Sequence, residues 1–413
     1  MKERVKIAVI GCGSRGLFLL RMILEHMPDI DVIAVCDLYE DRTECAKNFV
    51  IQMRGITPAA SCDYRDILSI DELDAVITPS AWEAHVEICI AAMEAGKYVG
   101  SEVGGAYSID QCWQLVHTFE KTGVPCMMLE NCCYGREELT ILNMIKKGLF
   151  GEIVHCEGGY RHDLRDEVAL GNENRHYRLR NYLSRNGELY PTHELGPIAK
   201  YLNINRGNRM LTLTSMASKS VGINDWIKRN RGEDFENANA KFALGDVVTT
   251  MIKCANGETI TLTHDTSLPR PYSRGNLVQG TRGIWCEDTR GILLDGTDSN
   301  PSYAHRYRSL EEYMPDHEHP LWRDYQAVGG HGGIDYLVLS AFFDSVKRGS
   351  RVPIDVYDMA SWMSITALSE NSIAMGSSPV AIPDFTNGRW CSREPYMRSK
   401  YCLEEVCFDC FES

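Results

Sequence analysis

Residues 178–193 of this 413-residue chain contain three arginines, two tyrosines, a threonine and a histidine, among them Arg178, Arg180, Arg185, Tyr190, Thr192 and His193. Guanidinium groups, hydroxyls and aromatic faces are side chains that can hold a sugar or another polyol. His193 lies between Pro191-Thr192 and Gly196-Pro197, where an imidazole can take or give a proton near neutral pH. A histidine that opens a helix can equally be bonded to backbone, and Tyr160 can be a core residue. The stretch predicts a polyol site with His193 as the candidate acid–base group.

A second stretch, residues 5–37, has the pattern of a dinucleotide-binding unit. An apolar run is followed by GCGSRG at 11–16, then by a helical pattern and a second apolar run. Gly11 permits a tight turn, Gly13 lets the backbone approach a pyrophosphate, and the next helix offers unpaired N–H groups. Asp37 follows by about 20 residues, where a carboxylate can bind the ribose hydroxyls. Since an acid there repels a 2′-phosphate, the pattern predicts NAD rather than NADP.

Strand and helix patterns alternate as far as residue 131, which predicts a doubly wound parallel sheet, a Rossmann domain, over residues 1–131. Ligands of such sheets lie beyond the carboxyl ends of the strands. Those ends carry residues 11–15, Asp37, residues 79–85, Glu102-Val103 and Asn131. Trp82 can line a cofactor pocket there or simply pack.

The pattern changes near residue 150. Strand-like runs and the hairpin signal Asn256-Gly257 predict an α+β domain with a largely antiparallel open sheet over residues 132–413. Helical patterns at 335–347 and 359–375 are assigned to this second domain, and the polar residues 167–186 are predicted to form a long loop.

Composition narrows the function further. The chain is 44% hydrophobic and 24% charged, and its net charge of -14 argues against nucleic acid or an anionic membrane as partner. The first predicted strand begins at Val5, so we expect no signal peptide. Sixteen scattered cysteines favour free thiols in a reducing, cytoplasmic compartment. Cys407 and Cys410 have metal-ligand spacing but no matching pair, so we expect surface thiols there and no metal site.

Several stretches together carry a family resemblance: TPSAWEAHV at 78–86, EVGGAY at 102–107, MLENCCY at 128–134 and RLRNYLSRNGELYPTHELGP at 178–197. With them the chain resembles the NAD-dependent α-N-acetylgalactosaminidases of glycoside hydrolase family 109. That family lies within the glucose–fructose oxidoreductase and inositol dehydrogenase superfamily. The resemblance implies a glycosidase with a recycled NAD: hydride leaves sugar C3, the C2 proton is lost, the C1 group is eliminated, water adds, and the hydride returns.

The resemblance also implies the roles of individual residues. NAD would be contacted by Gly11, Gly13, Ser14, Arg15, Asp37, Trp82, Glu83, Ala84, His85, Glu102, Val103 and Asn131. The glycoside would be contacted by Tyr160, Arg178, Tyr190, Pro191, Thr192, His193 and Tyr272, of which His193, Tyr160 and Tyr190 would be catalytic. A homo-oligomer, a dimer or larger, is expected through the open sheet.

Two departures separate the chain from the dehydrogenases of that superfamily. They usually carry Glu-Lys-Pro where this chain has Glu102-Val103-Gly104, and an aspartate where it has Leu189. The absence of both groups disfavours a net alcohol dehydrogenase. The glycosidase branch shares such replacements. Within that branch, Ala84 replaces a common tryptophan, which leaves the pocket shape open. The alternatives are an NAD-dependent sugar or inositol dehydrogenase and a non-catalytic NAD- and sugar-binding sensor.

Overall fold

The computed structural model describes residues 2–296, 306–393 and 398–411, and the chain divides into two compact units. Unit 1 comprises Met1–Gly135, Pro320–Ala360 and Glu394–Ser413. Unit 2 comprises Arg136–His319 and Ser361–Arg393. Among the described residues, no helix has the length and apolar character needed to cross a bilayer.

The first part of unit 1 alternates strands and helices, as the sequence predicts. The elements are β1 Val5–Ile10, α1 Ser14–His26, β2 Ile30–Cys36, α2 Glu40–Arg54, β3 Ala59–Ser61, α3 Tyr64–Leu68, β4 Ala75–Thr78, α4 Trp82–Glu94, β5 Tyr98–Ser101, α5 Ile109–Thr122 and β6 Cys126–Met128. The six strands form one parallel sheet in the order β3-β2-β1-β4-β5-β6. The predicted Rossmann fold is confirmed, and β1 and β4 are almost wholly buried, as expected for a sheet covered on both faces.

Unit 2 is built around a nine-stranded sheet. Its elements up to His319 are α6 Arg136–Lys146, β7 Ile153–Arg161, α7 Arg165–Ala169, α8 Arg178–Ser184, α9 Thr192–Tyr201, β8 Met210–Ala217, α10 Gly222–Arg231, β9 Val247–Cys254, β10 Thr259–Asp265, β11 Leu277–Gly280, β12 Gly283–Cys286, β13 Gly291–Leu294, β14 Arg308–Ser309 and α11 Met314–His317. Strands β9 and β10 form the predicted hairpin across Asn256-Gly257. Strands β7 and β10 run parallel, and the other neighbouring pairs among the described residues are antiparallel. This confirms the α+β prediction.

The last elements are α12 Pro320–Arg323, α13 Ile334–Arg348, α14 Val356–Ala374 and β15 Val380–Ala381. Strand β15 pairs with β8 at the edge of the nine-stranded sheet. Helix α13, which the sequence analysis assigned to the second domain, belongs to unit 1. Phe342 of α13 is fully buried, and a side chain at Gly100 of β5 would lie 3.2 Å from its ring. The backbone N–H of Lys2 also donates to the carbonyl of Lys347 at 2.9 Å.

The prediction of a long loop over residues 167–186 is wrong, because α7 enters this stretch and α8 lies within it. Polar composition suggested a solvated loop, but Arg178 of α8 is buried and forms an ion pair with Glu167. All sixteen cysteines are free thiols. Cys402 and Cys407 are buried together, whereas the sequence analysis expected surface thiols in this tail.

Candidate active site

The glycine turn of unit 1 has the shape that a dinucleotide requires. Gly11 has φ of +110°, and a side chain there would lie 2.6 Å from the backbone nitrogen of Ser80. A side chain at Gly16 would lie 1.9 Å from the carbonyl oxygen of Gly11. Helix α1 begins immediately after Gly13, and no side chain caps it. The turn therefore leaves the amino end of a 13-residue helix available to a pyrophosphate.

Asp37 holds the same turn from the end of β2. Its Oδ2 accepts from the backbone N–H of Cys12 at 2.6 Å, and its Oδ1 accepts from that of Tyr39 at 3.0 Å. A carboxylate has further acceptor positions, so ribose hydroxyls can still bind. Arg42, which the sequence analysis did not select, lies 4.9 Å above the Tyr39 ring, and its guanidinium approaches Gly13.

The residues after β4 and β5 pack against each other. Trp82 and His85 are buried, and a side chain at Gly104 would lie 2.7 Å from Cδ1 of Trp82. Burial lowers the pKa of His85 to about 4, and its Nε2 lies 3.0 Å from the carbonyl oxygen of Ser80. His85 is therefore a neutral, packed imidazole in the segment that the sequence analysis predicts to contact NAD. Glu83 and Ala84 are partly exposed, whereas Val103 is buried.

A group of charged side chains joins three of the predicted NAD residues. Arg15 donates from Nε to Glu102 at 2.8 Å, and from Nη1 and Nη2 to Asp335 at 3.1 and 2.7 Å. The Asn131 amide donates to Asp335 at 2.7 Å. Asp335, the second residue of α13, was missed because no local pattern indicates that α13 packs against this sheet. His331, in the glycine-rich segment 329–333, lies 2.6 Å from Asp335 through Nδ1.

In unit 2, Tyr160 is the centre of the sequence-predicted sugar site. Its ring lies 4.4 Å from that of Tyr190 and 5.6 Å from that of His193, and the Arg178 guanidinium lies 5.9 Å from it. Tyr160, Tyr190 and Arg178 are mostly buried, while His193 is partly exposed at the second position of α9. Pro191 and Thr192 are buried beside it. The structure therefore brings the three candidate catalytic residues and Arg178 together.

His162 belongs to the same cluster, although the sequence analysis gave it no role. Its Nδ1 lies 3.1 Å from the Tyr160 hydroxyl, and its ring lies 5.0 Å from that of Tyr272. Burial and the nearby Arg178 charge lower the pKa of His162, so the ring is neutral near pH 7. The signal was the i, i+2 spacing at the end of a strand, which puts Tyr160 and His162 on one side. Tyr272 is half exposed, at 52%.

Two more buried groups support the cluster from behind. His264 is 1% exposed, its ring lies between those of Tyr160 and Tyr182 at 6.4 and 6.1 Å, and burial lowers its pKa to about 3. Glu188 is fully buried, and burial raises its pKa to about 8. Both groups are therefore uncharged near neutral pH, and Arg178 is paired with the Glu167 carboxylate.

Comparison with known proteins matches both parts of the chain. Residues 5–130 match the oxidoreductase family, NAD-binding Rossmann fold, and residues 134–392 match the glycosyl hydrolase 109 C-terminal domain. The chain is 39% identical to a glycosyl hydrolase family 109 protein of Stenotrophomonas maltophilia, over 95% of this chain and 91% of that protein. It is also 39% identical to the α-N-acetylgalactosaminidase of Tannerella forsythia, over 95% of this chain and 88% of the relative.

Solved structures share the fold at lower identity. A levoglucosan dehydrogenase in complex with NADH superposes with a TM-score of 0.69 at 18% identity, over 92% of this chain and 100% of that one. A myo-inositol 2-dehydrogenase from Lactobacillus plantarum gives a TM-score of 0.65 at 16% identity, again over 92% of this chain and 100% of that one. These likenesses support the fold alone.

Proposed function

This chain belongs to glycosyl hydrolase family 109, and on that premise we propose that it cleaves N-acetylgalactosaminides or related glycosides with NAD as a recycled cofactor. The observation that carries the proposal is the cluster of Tyr160, Tyr190, His193 and Arg178 in a chain whose glycine turn fits a dinucleotide. Sugars are bound by such donors and aromatic faces, and the imidazole and phenol can move protons.

When bound, NAD supplies the reversible oxidation of the sugar at C3, which acidifies the C2 proton and allows elimination at C1. The chain's own residues bind and orient the reactants and move protons. Gly13, Ser14, Arg15, Asp37, Glu102 and Asn131 would hold the cofactor, with Trp82 to His85 and Val103 as its walls. Arg178 and Tyr272 would hold the sugar, with Pro191 and Thr192 shaping the same turn.

Proton transfer falls to the residues around Tyr160. His193 would exchange a proton with the C3 hydroxyl or C2, and Tyr160 and Tyr190 are candidates for the other proton step. The phenol of Tyr160 can pass its proton to the neutral His162 ring, which makes Tyr160 the stronger candidate of the two. No pair of catalytic carboxylates is required, in contrast to ordinary glycosidases.

A plain sugar dehydrogenase is the rival activity, and the side chains disfavour it. The dehydrogenases of the glucose–fructose oxidoreductase and inositol dehydrogenase superfamily usually carry a lysine and an aspartate at two positions. This chain has Val103 and Leu189 there, which are 4% and 0% exposed. Neither apolar side chain can transfer a proton. The glycosidase reaction returns the cofactor to its starting state and does not depend on that pair.

The test is a panel of aryl glycosides assayed with NAD⁺, with absorbance at 340 nm recorded in parallel. A recycling glycosidase releases the aryl group without accumulating NADH, whereas a dehydrogenase accumulates NADH and a sensor turns over nothing. In D₂O the released sugar should carry deuterium at C2, because the C2 proton is lost and regained in each turnover. A product protonated at C2 as in the substrate would eliminate the mechanism.

Three further expectations belong to the proposal. The enzyme needs no divalent metal, so activity should survive dialysis against a chelator.

It acts as a homo-oligomer, because the face of the nine-stranded sheet that carries Met216 and Met251 exposes both side chains, at 64% and 57%. Light scattering of the purified chain would measure the mass. Its free thiols favour a cytoplasmic location, which cell fractionation would test.

A further inference from the structure

Residues 329–335 of unit 1 add a sixth segment to the five that the sequence analysis assigned to the NAD site. Asp335 is fully buried, and it accepts hydrogen bonds from Arg15 and Asn131, which stand on separate segments of the Rossmann domain. A further neighbour is His331, whose Nδ1 lies 2.6 Å from Oδ2. A single buried carboxylate therefore orients two side chains that are assigned to the cofactor.

The backbone around His331 is held in an unusual conformation. His331 has φ of +51°, followed by Gly332 at +63° and Gly333 at +90°. A side chain at Gly330 would lie 2.6 Å from the ring of Phe18, so this segment is seated directly on α1. A non-glycine residue keeps a left-handed conformation only where its surroundings fix it, and such positions gather at functional sites.

The group also has an unbalanced charge. Arg15 is one cation between two carboxylates, Glu102 and Asp335, which leaves one net negative charge near the turn that receives a pyrophosphate. Burial would raise the pKa of Asp335, but the hydrogen bonds from His331 and Arg15 hold it well below its ordinary value, so the carboxylate stays ionised. The Phe18 ring also lies beside the imidazole, with the two ring centroids 5.8 Å apart.

We propose that Asp335 and His331 are positioning residues for NAD. Asp335 fixes the Arg15 guanidinium and the Asn131 amide in the orientation that binds the dinucleotide. His331 holds Oδ2 of the same carboxylate and so keeps Asp335 in place. The inference rests on cofactor binding and not on the glycosidase reaction, so either can fail without the other.

The first test is NAD binding to His331→Ala, followed by the quenching of tryptophan fluorescence in cofactor-depleted full-length protein. The variant loses one of the hydrogen bonds that hold Asp335, so its Kd should rise by roughly two- to ten-fold. His331→Gln keeps a donor for Asp335, so its Kd should stay close to that of the wild type. His117→Ala, on α5, is the matched control.

The second test is Asp335→Asn, measured in the same way. Its amide offers one acceptor oxygen to donors from three residues, so NAD binding should weaken about ten-fold or more despite the loss of a negative charge. Asp344→Asn is the control, since Asp344 lies on the same helix and pairs with Arg348 at 2.9 Å. If Asp335→Asn lowers the melting temperature but leaves NAD affinity unchanged, Asp335 has a structural role only. If Asp335→Asn does not fold, a Kd of His331→Ala equal to that of the wild type overturns the proposal.

Discussion

The hydroxyl of Tyr160 and Nδ1 of His162 lie 3.1 Å apart at the end of β7, beside the Arg178 guanidinium. A neutral imidazole with its proton on Nε2 accepts at Nδ1, so it can draw the phenol proton. Burial and Arg178 keep the pKa of His162 below its ordinary value and therefore keep the ring neutral. The pair is thus arranged as a proton-accepting unit in a cluster that would bind the sugar.

Tyr160→Phe and His162→Asn should both slow glycoside cleavage. We expect a loss of about 10²–10⁴-fold for Tyr160→Phe, the range of a general acid–base group, and a smaller loss for His162→Asn. The double variant should be no slower than Tyr160→Phe, because His162 acts through that hydroxyl. Tyr307→Phe, at a half-exposed position, is the control.

The pH profile of kcat/KM gives a second readout of this pair. Because the pKa of His162 is lowered, the wild-type rate should fall on the acid side only below the ordinary histidine value of 6.5. His162→Asn should lose that step. Additive losses in the double variant, together with an unchanged acid limb, would show that the two residues act separately.

Asp37→Asn should weaken NAD binding by about 1–3 kcal/mol, the range for a lost hydrogen bond to a charged group. Asparagine keeps the shape that the Cys12 and Tyr39 N–H groups contact, so the turn should survive. The preference for NAD over NADP should also decrease, since residue 37 would no longer repel a 2′-phosphate. The Arg42 guanidinium, which lies near Gly13, could then favour that phosphate. Isothermal titration of both dinucleotides would measure this, with Glu44→Gln on α2 as control. Equal wild-type affinity for NAD and NADP would contradict the role of Asp37.

The sequence predicted the Rossmann half well because its information is local. Strand, glycine turn, helix and Asp37 follow one another within residues 5–37, and each has a mechanical reason to be there. Helix α13 is different: its pattern predicted a helix, but its place against β5 depends on Gly100 leaving room for Phe342, far away in sequence. Asp335 was missed for that reason.

The residues of the predicted sugar site lie together in the structure, but the sequence analysis assigned the wrong secondary structure to residues 167–186. Residues 167–186 look solvated because their charges are dense, and only the fold reveals that Arg178 is buried and paired with Glu167. A buried ion pair is invisible to composition, since each partner alone would favour the surface. His162 was recoverable from its spacing to Tyr160, but only once β7 was known to end at Arg161.

His264 should make the protein less stable in acid. Its pKa is about 3 when folded and near 6.5 in an unfolded chain, so the unfolded state binds more protons between these values. Stability is therefore present above pH 6.5 and is lost as pH falls, by up to about 1.4 kcal/mol per pH unit. In urea unfolding from pH 7 to 4, His264→Gln should lose less stability on acidification than the wild type. Parallel losses would mean that the ring is solvated.

His193→Ala should abolish most glycoside cleavage and leave NAD bound. His193 stands at the start of α9 beside Tyr160 and Tyr190, whereas Gly11, Gly13 and Asp37 belong to unit 1 and hold the cofactor turn by their own contacts. The expected loss in kcat/KM is about 10²–10⁴-fold, with an NAD Kd within experimental error of the wild type. If His193 removes the C2 proton, deuterium incorporation at C2 of unreacted substrate in D₂O should fall with turnover. His155→Ala, on the same unit and bonded to Thr259 at 2.8 Å, is the control. Full activity in His193→Ala would contradict a catalytic role and would mean that His193 only contributes to the start of helix α9.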